Sequence, residues 1–329
     1  MKNLVSILMV VGINFLISFP ARAQLSEGIT LDYVAEDVEF SMIFRSQELL
    51  EFADADIASE FTEAFASTFG IDWGELDYCF LQYSTQLGPM PSGEAPMFSL
   101  CFESNKRLDA EIVGESKFWD QMGLKPLELD ELTVYGEESD SGPCILFPTD
   151  SMLILSTREG IENLAANQSD STIEAISVLG TGWAIGGHFQ KIGDGESALL
   201  LWKEIFGETP QNELIEDLVR ACDQMTYKIS QSNGLEIELQ LTDGVDAEEF
   251  SGEIQSEIDL LIEELENAEP LVSDNVLRLF QSTRKLLEQS RISVFGDTVS
   301  LRTASEDGVQ QSLEYLMLVF TEFMIQLFG

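Results

Sequence analysis

Basic residues are scarce in this chain: 17 Lys and Arg stand against 59 Asp and Glu, a formal net charge of −42 over 329 residues. The summed field repels phosphate, which excludes a general nucleic-acid binder and a protein that docks on anionic lipid. Histidine is scarcer still, since His188 is the only one. A histidine-rich zinc site is thereby excluded, and nothing in the sequence sets His188 beside a nucleophile with a helper carboxylate. The four cysteines, Cys79, Cys101, Cys144 and Cys222, form no C-x-x-C pair, which removes a zinc ribbon. Complete G-x-S-x-G, H-E-x-x-H, Walker and EF-hand patterns are missing.

Two partial motifs fail for physical reasons. Gly180-Thr-Gly182-Trp-Ala-Ile-Gly186 spaces its third glycine one residue late for a dinucleotide loop. It also leads into a strand pattern, whereas phosphate needs a helix N-terminus. Ser282-Thr-Arg-Lys285 and Ser273-Asp274-Asn275 match two motifs of the β-lactam-binding serine acyl-transferases. Here they stand in reversed order, a few residues apart and without a K-T-G strand. Ser273 reads instead as the cap of a helix containing both.

What is present begins with the N-terminus. Lys2 precedes an apolar stretch from Leu4 to Phe19, and Ala21-Arg22-Ala23 has the small-residue spacing of a peptidase site. A signal peptide over residues 1–23, cleaved between Ala23 and Gln24, is therefore expected, with export to the periplasm, cell surface or medium. The rival is an uncleaved N-terminal anchor, but a run of sixteen residues broken by Ser6, Gly12, Asn14 and Ser18 is short for a membrane span, and no span is expected after cleavage. Lys2 and Arg22 leave with the leader, so the mature chain is more acidic by two charges. In an oxidising compartment, Cys79 and Cys101 on neighbouring strands are the first candidates for a disulfide. The alternative is a pair of small buried thiols.

With 44% hydrophobic residues the chain can bury a sizeable core in spite of its charge. Its organisation is an internal similarity. Cys144 to Ser156 reads as strand, tight turn and strand, with a helix opening at Arg158; Arg291 to Thr303 repeats that hairpin, and a helix opens near Glu306. Upstream, a strand at Val38–Phe44, a helix at Gln47–Phe69 and strands at Leu76–Ser84 and Pro96–Glu103 match a strand at Trp183–Phe189, helical segments, and a hairpin through Asn233-Gly234. An extra strand, Leu132–Tyr135, belongs to the first half alone. The fold expected is α+β, as two diverged repeats over 24–170 and 171–329, each an antiparallel sheet packed against helices.

The acids follow the same order. Asp246 to Glu269 holds ten acids and no base, with Phe250, Ile258 and Leu265 among the apolar residues recurring at helical steps. An antiparallel helix after Pro270 would bring Arg278, Arg284 and Lys285 beside them. In the last helix, Val309 to Phe328, the polar Gln311, Glu314, Glu322 and Gln326 fall on one narrow stripe while Leu313, Leu316, Met317, Phe320, Phe323, Met324 and Leu327 cover most of the remainder. This helix is expected to close the core, or to meet a second copy or another envelope protein.

The pattern resembles a loose class of exported bacterial proteins of unknown function, built from a signal peptide and two diverged α+β units. The resemblance rests on element order, carries no catalytic residue and implies a periplasmic or cell-surface role. The expected function is non-catalytic binding or envelope architecture, with no cofactor. One alternative is a carboxylate-dependent hydrolase with a cleft between the repeats. Another is a divalent-cation-binding surface protein, for which Glu137, Glu138 and Asp140 are the candidate ligands.

Overall fold

The computed structural model describes residues 38–52, 55–83, 98–108, 110–114, 123–129, 132–136, 143–166, 183–191, 212–230, 234–268 and 274–303, together with Tyr33, Gly195 and Leu199. The chain opens with β1 (Phe40–Arg45), α1 (Ser46–Phe52) and α2 (Ala55–Phe69), then β2 (Leu76–Tyr83), β3 (Phe98–Ser104) and the short α3 (Ala110–Val113). β4 (Lys125–Leu129), β5 (Leu132–Gly136), β6 (Pro143–Thr149), β7 (Met152–Thr157) and α4 (Arg158–Ala166) follow. The second half runs β8 (Trp183–Gln190), α5 (Asn212–Ala221), β9 (Cys222–Ser230), β10 (Gly234–Leu241), α6 (Ala247–Ala268), α7 (Asp274–Gln289), β11 (Ser290–Phe295) and β12 (Thr298–Thr303).

The twelve strands among the described residues form one antiparallel sheet in the order β11-β12-β10-β9-β8-β1-β2-β3-β7-β6-β5-β4. This overturns the expected balanced α+β class with one sheet per repeat. A first strand can be shielded on one side by its own hairpin and still leave its other edge unsatisfied. Here β1 and β8 satisfy each other, from Phe40 opposite Phe189 to Phe44 opposite Ile185. Outward from that junction the order is β1-β2-β3-β7-β6 on one side and β8-β9-β10-β12-β11 on the other. The repeated element order therefore survives as a symmetry of a single sheet. The first half carries two extra strands, because Lys125–Leu129 pairs with β5; Pro126 conceals that strand in the sequence, since proline suits only an edge.

Local signals place the helices. The Asp246 carboxylate accepts from the N–H groups of Glu248 and Glu249 at 3.0 and 3.1 Å and caps α6. The Thr157 hydroxyl, ending β7, accepts from Gly160 N–H at 2.9 Å and starts α4. Along α6, Phe250, Ile258 and Leu265 are buried while Glu249, Glu253, Asp259, Glu263, Glu264 and Glu266 are exposed. The helix lies on the sheet by its apolar stripe with its acids in water. α7 packs beside it, and Arg284 reaches Glu266 at 3.3 Å, the meeting of base and acid expected of a helix pair.

One face of the sheet is apolar from end to end. It carries Met42, Cys79, Phe102, Leu153, Ile185, Tyr227, Ile237 and Leu301 under α2, α6 and α7. At its centre Trp73 is ringed by Phe61 and Phe65 at 4.9 and 4.8 Å between centroids, both edge to face. Rings of that size each contribute about 1.5–3 kcal/mol through burial. The opposite face is divided. Its first half is a second apolar cluster of Ile43, Phe80, Cys101, Ile154 and Val134, covered by Ile161 and Leu164 of α4. Its second half is polar.

The cysteine pairing expected from the hairpin does not form. Cys79 stands opposite Phe102 and Cys101 opposite Phe80, so the two thiols lie on opposite faces of the sheet, one in each apolar cluster. All four cysteines are free and buried. Side chains alternate between faces along a strand, so only residues of matching phase can meet.

Candidate functional site

The divided face holds a line of polar residues that no local pattern announces. Following the pairing from strand to strand, Ser99 faces Gln82, Gln82 faces Ser41, Ser41 faces His188, and His188 faces Thr226. Beyond β9 the line continues through Glu238, Ser300 and Ser293. Eight strands thus contribute one polar residue each at the same height, with neighbours about 4.8 Å apart. Their centre is the β1–β8 junction.

The middle of the line is covered. Ser41, Gln82 and Ser99 are 0% exposed, Thr226 5% and His188 8%. The Gln82 amide donates to Tyr33 O at 2.8 Å. The Ser41, Ser99 and Thr226 hydroxyls and His188 Nδ1 have no hydrogen-bond partner. Ser230, on the same face two residues beyond Lys228, is in the same condition. A buried polar atom left without a partner costs about 1–3 kcal/mol, and native interiors hold few of them. Several of them lie together on this one face of the sheet.

Beside this line runs a charged one. In register, Ile43, Gly186, Lys228, Glu236 and Arg302 follow one another across β1, β8, β9, β10 and β12. Lys228 Nζ meets Glu236 at 2.7 Å, with side chains only 13% and 7% exposed. Arg302 lies 3.8 Å from Glu236 and 3.2 Å from Glu238. Burial raises the Glu238 pKa, and the Arg302 hydrogen bond and charge oppose that shift. Lys228 and Glu236 neutralise each other, so the region beside His188 offers a ligand hydrogen bonds more than net charge. Gly186, between Ile43 and Lys228 in this line, is itself buried.

The sheet does set His188 opposite Ser41, which sequence spacing did not reveal, and the buried Glu39 lies two residues from Ser41 on the same side of the strand. Neither Ser41 Oγ nor His188 Nδ1 is hydrogen-bonded, so the proton relay of a nucleophile and its base is not assembled. Burial also makes poor nucleophiles of the thiols: it raises the pKa of Cys79 and pushes that of Cys222 up to about 12. Among the described residues, no three His, Cys, Asp or Glu side chains cluster to hold a metal ion. The residues suggested for a cation, Glu137, Glu138 and Asp140, lie outside the described residues, as do the cleavage site at Ala23 and Gln24 and the last helix. No helix among the described residues is long and apolar enough to cross a membrane.

His188 makes stability depend on pH. Burial lowers its pKa from 6.5 to about 4. Above pH 6.5 the imidazole is neutral in the folded and unfolded chain alike, and its contribution to stability is fully present. As pH falls from 6.5 towards 4, the unfolded chain takes up a proton that the folded one refuses, and stability is lost. The loss approaches about 3 kcal/mol near pH 4. Urea midpoints from pH 7.5 to 4.5 should therefore fall more steeply for the wild type than for His188→Gln. Parallel curves would contradict a buried neutral imidazole.

No family model and no curated protein matches this chain. Among solved structures it is similar to crystal form I of TP0453, at a TM-score of 0.44 and 10% identity, over 88% of this chain and 98% of that one.

Proposed function

We propose that the chain is an exported, non-catalytic protein of the cell envelope, and that it binds an uncharged, hydrogen-bonding molecule over the polar line at the β1–β8 junction. Residues 1–23 carry the export half of the reading. The binding half rests on one observation: the hydroxyls of Ser41, Ser99 and Thr226 and the Nδ1 of His188 are covered and unpartnered. Such groups are easily dispensed with, because Ser→Ala and Thr→Val are nearly isosteric changes that leave no polar atom behind. Keeping them together under cover is reasonable where a bound molecule supplies their partners.

Thr226→Val tests this without knowledge of the ligand. If the protein as purified holds a molecule there, the substitution costs about 1 kcal/mol through the lost hydrogen bond. After unfolding in urea, dialysis and refolding, which strips any small molecule, the same substitution should become neutral or stabilising. Melting temperatures of both variants in both preparations give the answer. A Thr226→Val protein that is more stable than wild type in both would leave the line without a ligand and end the binding half of the proposal.

A further inference from the structure

The two edges of the sheet are treated differently. At the β4 edge Pro126 has no N–H to offer, and both it and Lys125 are exposed; proline and lysine are the devices that stop a sheet from growing. At the β11 edge, among the described residues, the strand Ser290-Arg-Ile-Ser-Val-Phe295 contains no proline and no acid. Arg291 and Ser293 are exposed, and Phe295 is 88% exposed, one of two large exposed hydrophobics among the described residues.

We propose that β11 pairs antiparallel with β11 of a second copy of this chain. The strand complements itself. A continuous sheet requires residues of like phase to oppose one another, and a two-fold axis through Ser293 meets that condition. It sets Ile292 opposite Val294 of the second copy, which prolongs the apolar face already packed on α6. It sets Arg291 opposite the second copy's Phe295, a cation over a ring that otherwise stands in water. Ser293 meets Ser293, so the polar line passes from one copy into the next. In a chain with 59 acids, β11 itself carries none, so the ladder sets no two carboxylates face to face.

A single strand pair buries far less than the roughly 1,600 Å² of a standard interface, so the association is weak. The remaining acids repel across it, and salt strengthens it by shortening the Debye length from about 30 Å at 0.01 M to about 3 Å at 1 M. Sedimentation of the full chain at about 100 μM should give twice the mass of one chain in 0.5 M salt and one chain mass in 10 mM. Ser293→Lys and Ser293→Asp each place like charges face to face and should sediment as monomers with unchanged melting temperatures, the site being exposed. Mixed one to one, they should dimerise again. A wild type monomeric at every salt concentration overturns the proposal, as does a Ser293 variant that dimerises alone. So do two variants that stay apart when mixed.

Discussion

Gly187→Ala is expected to lower stability by about 3 kcal/mol or more, through a position that touches no ligand and no charge. Gly187 is the β8 residue facing Met42 of β1 on one side and Tyr227 of β9 on the other. A Cβ there would lie 2.3 Å from Ser41 O and 2.4 Å from Tyr227 Oη. The tyrosine can give way by rotating, whereas Ser41 O belongs to the ladder that joins the two halves of the sheet. Relief therefore means opening the β1–β8 junction. Tyr227→Phe separates the two clashes. Its hydroxyl is buried and unpartnered, so that substitution alone should be neutral or stabilising, and it should rescue Gly187→Ala only in part. Urea unfolding of the two single variants and the double one measures this. A Gly187→Ala protein as stable as wild type would refute the close approach.

Glu236→Ala should cost about 3–5 kcal/mol, because it strands a charge rather than merely deleting a contact. Lys228 is nearly enclosed, and Glu236 is the carboxylate 2.7 Å from its ammonium. Water cannot replace that partner. Lys228→Met should cost less, since the carboxylate it leaves still has Arg302 3.8 Å away, with a side chain 50% exposed. Replacing both together, Lys228→Met with Glu236→Leu, should recover most of the loss, because an apolar pair of similar volume needs no compensation. The signature is a double-mutant cycle whose coupling exceeds about 2 kcal/mol. Additive losses would mean that the two side chains are individually hydrated.

The same physics explains which parts of the architecture were legible beforehand. The α6 stripe of Phe250, Ile258 and Leu265 is a one-dimensional signal, since a helix returns to the same face every three or four residues. Its outward acids follow from the same periodicity. The hairpins at Asp150 and Asp297 were legible for a similar reason, each being a turn between adjacent strands. Of the two readings of Cys79 and Cys101, the disulfide fails and the buried thiols stand, because neighbouring strands do not imply a shared face. One residue of offset in the β2–β3 ladder sends the two thiols to opposite sides. β4 was missed because Pro126 reads as a breaker, yet an edge position accepts it.

The polar line was not legible at all. Ser41, Gln82, Ser99, His188 and Thr226 each occupy an alternate position of an amphipathic strand, where a polar residue ordinarily faces water. Only the cross-strand register aligns them, and only the cover over them turns ordinary outward residues into buried ones.

Sequence alone determined the acidity, the repeated order of elements and the helix faces, all of which are set by composition or by neighbours a few residues apart. Tertiary structure decided that β1 would take β8 as its partner. That one pairing joins residues some 150 positions apart, and it converts the two sheets expected into one. Strand edges offer the same backbone donors and acceptors whatever the side chains are, so the choice among partners is made by long-range packing and leaves no local mark.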